Sequence, residues 1–250
     1  MSEQIKRRFD RAGATYEGVA LVQRQVAEHL AGLCPPELPG PVLEIGAGSG
    51  LLTRRLVPRL AGGGPYVALD LSPGMLTHAA MPGAVRLAAN GECPPFAPAA
   101  FGFLASASAM HWYADPARSI PANLGLLRPG GGFALAFYVE GTLGELAEAS
   151  RATGFGTVYP MQPAAFYREL FASLPGLDWR MEETRHTVRH PTVAALLQSL
   201  KSAGVTHAPG RRAGSPARYR EFSRYYLERF GTPDGVPTSY AAVAVCGTRL

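Results

Sequence analysis

The nine residues from Val42 to Gly50, VLEIGAGSG, constrain this chain more than any other stretch. A short apolar run that meets glycine at every second position reads as a buried strand ending in a tight turn. Glycine adopts backbone angles closed to other residues and carries no side chain to hold a ligand away. A helix following such a turn offers free N–H groups, which suit a carboxylate as well as a phosphate. The dinucleotide fingerprint needs a third glycine at position 51, where Leu51 stands, so the spacing argues against a nicotinamide dinucleotide. Asp70 ends the next apolar run, twenty residues beyond Gly50, and a carboxylate there can accept both hydroxyls of a ribose. The sequence Asp70, Leu71, Ser72, Pro73 also reads as a plain helix start. Taken with Glu44 and the glycines, the set points to a nucleoside site.

Around this motif the pattern alternates. Residues 41–45, 66–70, 85–88, 103–106 and 132–138 read as strands, and 51–60, 73–80 and 120–127 as helices, a rhythm that argues for a parallel sheet covered on both faces. Before it, 5–33 has the apolar spacing of an amphipathic helix broken near Gly13 or Gly18 and ended by Pro35, Pro36 and Pro39. After it, 163–174, 192–203 and 215–230 read as helices, and 179–190 and 241–248 as strands. At 250 residues, with 47% apolar and 17% charged, the chain suits one folded domain. Its expected parts are a helical N-terminal lid over 1–34, a cofactor-binding half over 40–138, later sheet elements with a helical cap over 139–230, and a last strand over 240–249.

No run is long enough to span a bilayer, and the N-terminus lacks the apolar core of a signal peptide, so a cytoplasmic protein without membrane attachment is expected. Cys34, Cys93 and Cys246 lie far apart with no C-x-x-C pair, which argues against a disulfide framework or zinc. The net charge is a modest +5, but residues 211–229 hold six arginines against two acids, and Lys6, Arg7, Arg8 and Arg11 form a second basic cluster.

The segments LEIGAGSG, VALDLSPGML, SASAMHWYADP and LRPGGGFALAF together resemble the successive signatures of class I S-adenosylmethionine-dependent methyltransferases. The resemblance implies a Rossmann-like α/β fold, a mostly parallel seven-stranded sheet with helices on both faces and helical cap additions. It also implies S-adenosylmethionine as cofactor, S-adenosylhomocysteine as product, and no metal. In that family the glycine loop lies against the methionyl part of the cofactor and the acid of the second strand holds the ribose, roles that fall here on Gly46, Gly48, Gly50 and Asp70. The expected cofactor site further takes in Glu44, Ala47, Leu71, Met75, Asn90, Gly91 and Ser106. Position 90 departs from the pattern, where an aspartate usually contacts the adenine amino group. The Asn90 carbonyl can accept the same hydrogen bond, more weakly because it is neutral.

The two ends are similar to a narrower family, the malonyl-acyl-carrier-protein O-methyltransferases of biotin synthesis. FDRAGATYEGVALVQRQVAEHL matches its opening pattern at Phe9, Ala12, Tyr16, Gln23 and Arg24, with Gly13 in place of an alanine. LLQSLKSAGVTHAPGRR matches its L-K-x-x-G-A-T-H segment at Leu200, Lys201, Gly204, Thr206 and His207, with Val205 in place of alanine. The reaction this implies moves a methyl group to the free carboxylate of malonyl-acyl carrier protein. A carboxylate with a pKa of roughly 3 to 4 is ionised at neutral pH, so no general base is needed and positioning carries the catalysis. The candidates for holding the substrate are Tyr16, Arg24, His111, Trp112 and Lys201. Acyl carrier proteins are acidic, and Arg211, Arg212, Arg218, Arg220 and Arg224 would steer one in. Three other readings stay open: a different small carboxylic acid or natural product as acceptor, a nucleic-acid-binding protein or RNA methyltransferase, and a non-catalytic cofactor-binding scaffold. Against nucleic acid stand the small total charge, the shortness of the basic tract and the lack of an N-P-P-Y-like signature.

Overall fold

All four residues of β1 (Val42–Ile45) are buried, as a strand covered on both faces requires. In the computed structural model, which describes residue 10, residues 20–202 and residues 215–250, β1 is the third of seven strands. It pairs in parallel with β2 (Tyr66–Asp70), which in turn carries β3 (Ala84–Ala88) at the sheet edge. On its other side run β4 (Phe101–Ala107) and β5 (Leu127–Tyr138), also parallel. Strand β6 (Leu177–His190) forms the far edge, and β7 (Val236–Arg249) inserts antiparallel between β5 and β6. The order is therefore β3-β2-β1-β4-β5-β7-β6, the mostly parallel seven-stranded sheet expected. Charged residues such as Arg180, Glu182 and Arg185 along β6 suit an edge that must not pair with another chain.

Helices cover both faces. On one lie α1 (Leu21–Leu33), α5 (Gly144–Thr153), α7 (Val193–Ser202) and α8 (Pro216–Phe230); their Val26, Leu30, Leu196, Phe222 and Tyr226 pack over a sheet face made small by Ala105, Ala134, Ala136, Ala242 and Ala244. Small residues there let the helices lie close. The opposite face is bulkier, and α4 (Pro116–Leu124) and α6 (Ala164–Ala172) cover it, with Phe137 stacked on Tyr167 at 4.5 Å between ring centres. Such a ring pair adds about 0.5–1.5 kcal/mol beyond its buried area.

Several boundaries differ from the expected ones for local reasons. The helix expected over 51–60 is only α2 (Thr53–Leu56), continued as a 3₁₀ turn, Val57–Arg59, because Pro58 has no N–H to extend the α-helical ladder. The helix expected over 120–127 starts and ends earlier, since the Asp115 side chain caps it by accepting the Arg118 N–H and Pro116 opens it. Helix α5 was not expected, because its buried face of Leu146, Ala149 and Ser150 is too weakly apolar to stand out. The short α3 (Pro73–His78) keeps its expected cap, the Ser72 side chain accepting from Met75 N–H at 3.1 Å.

Candidate active site

The carboxyl ends of β1 to β5 share one rim of the sheet, the place where open α/β folds bind ligands. After Ile45 the chain turns back over the end of β2, with Gly46 and Ala47 N–H donating to the Leu69 carbonyl at 2.8 and 3.0 Å. Gly46 has φ +75° and Gly48 φ +54°, and a Cβ on Gly46 would collide with that of Ala109. Only glycine fits that turn. Gly48 N–H then donates to Asp70 Oδ2 at 2.8 Å, while Asp70 Oδ1 takes the Ser72 N–H at 2.8 Å. Burial pushes the Asp70 carboxyl above its ordinary value and these backbone donors pull it down. Asp10, whose carboxylate accepts from Ser72 Oγ at 2.5 Å and Gly74 N–H at 3.2 Å, adds to the rise.

Glu44 lies beneath the loop, 1% exposed, its Oε2 accepting from Thr53 Oγ at 2.6 Å and from the Tyr66 hydroxyl at 2.7 Å. It ties β1, α2 and β2 together. Burial pushes its pKa up to about 7 against the pull of those two donors.

The loop forms one wall of a cavity that residues of α1, β1, β2 and β4 complete. At one end stand Asp70, Leu71, Asn90 and Gly91. The Gly91 carbonyl is held by Asn123 Nδ2 at 3.0 Å and lies 2.8 Å from the Tyr113 hydroxyl, and a Cβ here would meet Ile45 Cγ2 at 2.5 Å. Asn90 Oδ1 takes the Glu92 N–H at 3.0 Å, which shapes this loop and leaves the oxygen a second lone pair. At the other end, Ala107 closes β4, Ser108, Ala109 and Trp112 follow it, and Gln23 and Ala27 come from α1. Ser49 Oγ and Ser108 Oγ are buried there without a hydrogen-bond partner among the described residues. A glycine cradle, an acid at the end of β2 and open polar groups beyond them fit a nucleoside carrying a charged, amino-acid-like arm.

The structure gathers Glu44, Gly46, Ala47, Gly48, Asp70, Leu71, Met75, Asn90 and Gly91 around this cavity, together with Trp112. Gly50 stands behind the wall, with φ +84° and Met81 Cγ 2.8 Å from where a Cβ would be. Ser106 is fully buried and does not line the cavity, because strand alternation turns it to the face opposite Ala105 and Ala107. Arg24 does not line it either; Gln23 and Ala27 occupy the strip of α1 that faces inward, and position 24 is rotated about 100° from Gln23. His111 sits outside the lining, packed against the Trp112 ring at 5.0 Å and the Tyr138 ring at 4.9 Å, and burial lowers its pKa to about 3, so it is neutral. Lys201 is exposed in the last turn of α7 and does not line the cavity. Tyr16, Arg211 and Arg212 lie outside the described residues. Arg218, Arg220 and Arg224 are exposed on α8, whose inner face is Phe222 and Tyr226 as the spacing of four predicts. Sequence reasoning missed Gln23, Ser49, Ser108 and Tyr113. For Gln23 the signal was available, since Val22, Val26, Ala27 and Leu30 fix the inward face of α1.

Comparison with known proteins agrees with this geometry. A family described as a methyltransferase domain matches residues 43–135. The chain is 31% identical over 244 residues to a malonyl-[acyl-carrier protein] O-methyltransferase of Dechloromonas aromatica, covering 96% of this chain and 92% of that protein. It is 32% identical over 233 residues to the biotin biosynthesis bifunctional protein BioCD of Bordetella avium, covering 88% of this chain and 49% of that protein, so it spans about half the bifunctional relative. Among solved structures, the YcgJ protein of Bacillus subtilis shares the fold at TM-score 0.60 and 16% identity over 89% of this chain and 99% of that one. Phosphoethanolamine N-methyltransferase 2 of Haemonchus contortus, solved with S-adenosylhomocysteine, shares it at TM-score 0.60 and 17% identity over 98% of this chain and 60% of that one.

Proposed function

Because this chain belongs to the malonyl-[acyl-carrier protein] O-methyltransferase family, we propose that it uses S-adenosylmethionine to methylate the free carboxylate of malonyl-acyl carrier protein in biotin synthesis. One observation carries the reading furthest: the similarity runs over 96% of the chain, so it includes α1, which lies outside the matched methyltransferase domain and contributes to the cavity wall. When bound, S-adenosylmethionine supplies a methyl group on a positively charged sulfur.

The chain's own part is binding and placement. Asp70 would take the ribose hydroxyls, Asn90 and Gly91 the adenine, and the loop Gly46–Gly48 with Ser49 the methionyl end. The acceptor reaches the opposite end, where Trp112 packs on Tyr159 at 5.0 Å between ring centres and walls the chamber from solvent. The acceptor carboxylate is already ionised, so no residue has to remove a proton. Effective molarities of about 10⁵ to 10⁸ M for well-placed partners are ample for such a transfer. His111, outside the cavity lining and kept neutral by burial, places no charge beside the acceptor. Arg220 and Arg224, four apart, share an exposed basic face of α8 that suits an acidic carrier, and Arg218 is exposed in the first turn of the same helix.

Among the described residues no helix is long and apolar enough to cross a membrane, and no group of His, Cys, Asp and Glu is arranged to hold a metal. The reading includes a metal-free reaction in the cytoplasm, a reducing compartment compatible with free thiols at Cys34, Cys93 and Cys246. Incubating the protein with methyl-labelled S-adenosylmethionine and malonyl-acyl carrier protein tests the bond formed. A methyl ester releases the label as methanol in mild alkali; label that survives alkali on the product would contradict carboxyl transfer.

A further inference from the structure

Gln23 interrupts the apolar face of α1. It is 7% exposed, flanked on the buried side by Val22, Val26 and Ala27, and it lines the cavity together with Ala27 one turn on. A buried primary amide is costly unless its hydrogen bonds are taken up, and the Gln23 amide has no hydrogen-bond partner among the described residues. The position of α1 decides which end of the cavity it serves. It packs against β4, β5, β6 and β7, whereas Asp70, Asn90 and Gly91 of the nucleoside end follow β2 and β3. The described lining holds two acids, Glu44 and Asp70, and no arginine, lysine or histidine. A carboxylate entering this chamber therefore meets no fixed cation there.

Resting on the carboxyl-methylation reading above, we propose that the side-chain amide of Gln23 donates to one oxygen of the acceptor's carboxylate and thereby selects thioesters that carry a free carboxylate. A neutral donor suits the task better than Arg24 would. A guanidinium would draw charge from the oxygen that has to attack, whereas an amide N–H orients one oxygen and leaves the anion's charge largely on the other. The amide carries two N–H donors on a side chain long enough to reach past Ala27 into the chamber. No bond to Gln23 forms or breaks and no proton moves.

The experiment measures kcat and KM for malonyl-acyl carrier protein, and the dissociation constant of S-adenosylmethionine by calorimetry, in the wild type, Gln23→Met and Gln23→Glu. Gln23→Met keeps the length and the packing and removes the donors; kcat/KM is expected to fall about tenfold to a hundredfold, mostly through KM, the usual loss of a hydrogen bond to a charged group. Gln23→Glu sets like charges together and is expected to fall further. Cofactor affinity should stay within about twofold in both, which also shows that the fold is intact; should Gln23→Glu fail to fold, Gln23→Met alone decides. A parallel loss of cofactor affinity would overturn the proposal, because the amide would then serve the cofactor's own carboxylate. Unchanged kinetics in both variants would overturn it as well. A wild type that binds cofactor but leaves malonyl-acyl carrier protein unmodified would bring down the carboxyl-methylation reading and this proposal together, whereas an active wild type with indifferent variants would remove this proposal alone.

Discussion

Asp70 does two jobs with one carboxylate: it accepts N–H groups from Gly48 and Ser72, and it presents an acid to the cavity at the end proposed for the nucleoside. Asp70→Ala should therefore weaken S-adenosylmethionine binding by about a hundredfold or more in calorimetry, since hydrogen bonds to charged groups carry about 1.5–3 kcal/mol each. Normal affinity in that variant would remove the ribose assignment. Glu44 makes a different prediction. Its pKa is raised by burial to about 7 in the folded chain, against an ordinary value near 4.5, so its contribution to stability is fully present below about pH 4.5 and is lost as pH rises through 7. Denaturant melts of the wild type and Glu44→Gln across pH 4 to 8 should show the wild type losing stability relative to the variant as pH rises, by on the order of 1–3 kcal/mol. A constant difference between the two would contradict the buried titration. Gly46 was legible in the sequence because the turn there admits only glycine, and Asp70 because it is the acid that ends the next apolar run. Arg24 was chosen over Gln23 from the motif match, which does not show which member of the pair faces inward; the apolar stripe of Val22, Val26, Ala27 and Leu30 on α1 does.

At the scale of elements, the strands were easier to foresee than the helices that close over them. β1, β2 and β4 are continuous apolar runs bounded by glycine or proline, a strong signal for buried strands. Helix α5 had no such signal, because only Leu146, Ala149 and Ser150 of it are buried and it meets α8 partly through polar contacts, Glu148 accepting from the Tyr225 hydroxyl and from Arg229 Nε, both at 3.2 Å. Those contacts fix the inner side of α8 and leave Arg218, Arg220 and Arg224 facing outward. If this helix steers an acidic carrier, changing the three to glutamate should raise KM for malonyl-acyl carrier protein about tenfold or more at low salt, with the difference shrinking as salt is added. Malonyl-coenzyme A should respond to salt and to the substitutions far less. Equal effects on both substrates would remove the steering role.

At the scale of the whole molecule, the fold divides the labour across the sheet. The half built on β1, β2 and β3 supplies the glycine loop and the acids Glu44 and Asp70, proposed to hold the nucleoside, and it was readable because its motif lies within some fifty residues of continuous sequence. The acceptor half is assembled from parts far apart in the chain, with α1 laid over β4 to β7 and the turn after β4 beside it, so the sequence suggested its residues only by resemblance. The central claim is that these two halves join S-adenosylmethionine to the free carboxylate of a malonyl thioester. Intact mass spectrometry of malonyl-, succinyl- and acetyl-acyl carrier protein, each incubated with the protein and S-adenosylmethionine, tests it most directly. The account predicts a gain of one methyl group on the malonyl carrier and none on the acetyl carrier, which has no free carboxylate, with little on the longer succinyl carrier. An unmodified malonyl carrier in the presence of bound cofactor, or equal methylation of the acetyl carrier, would contradict it.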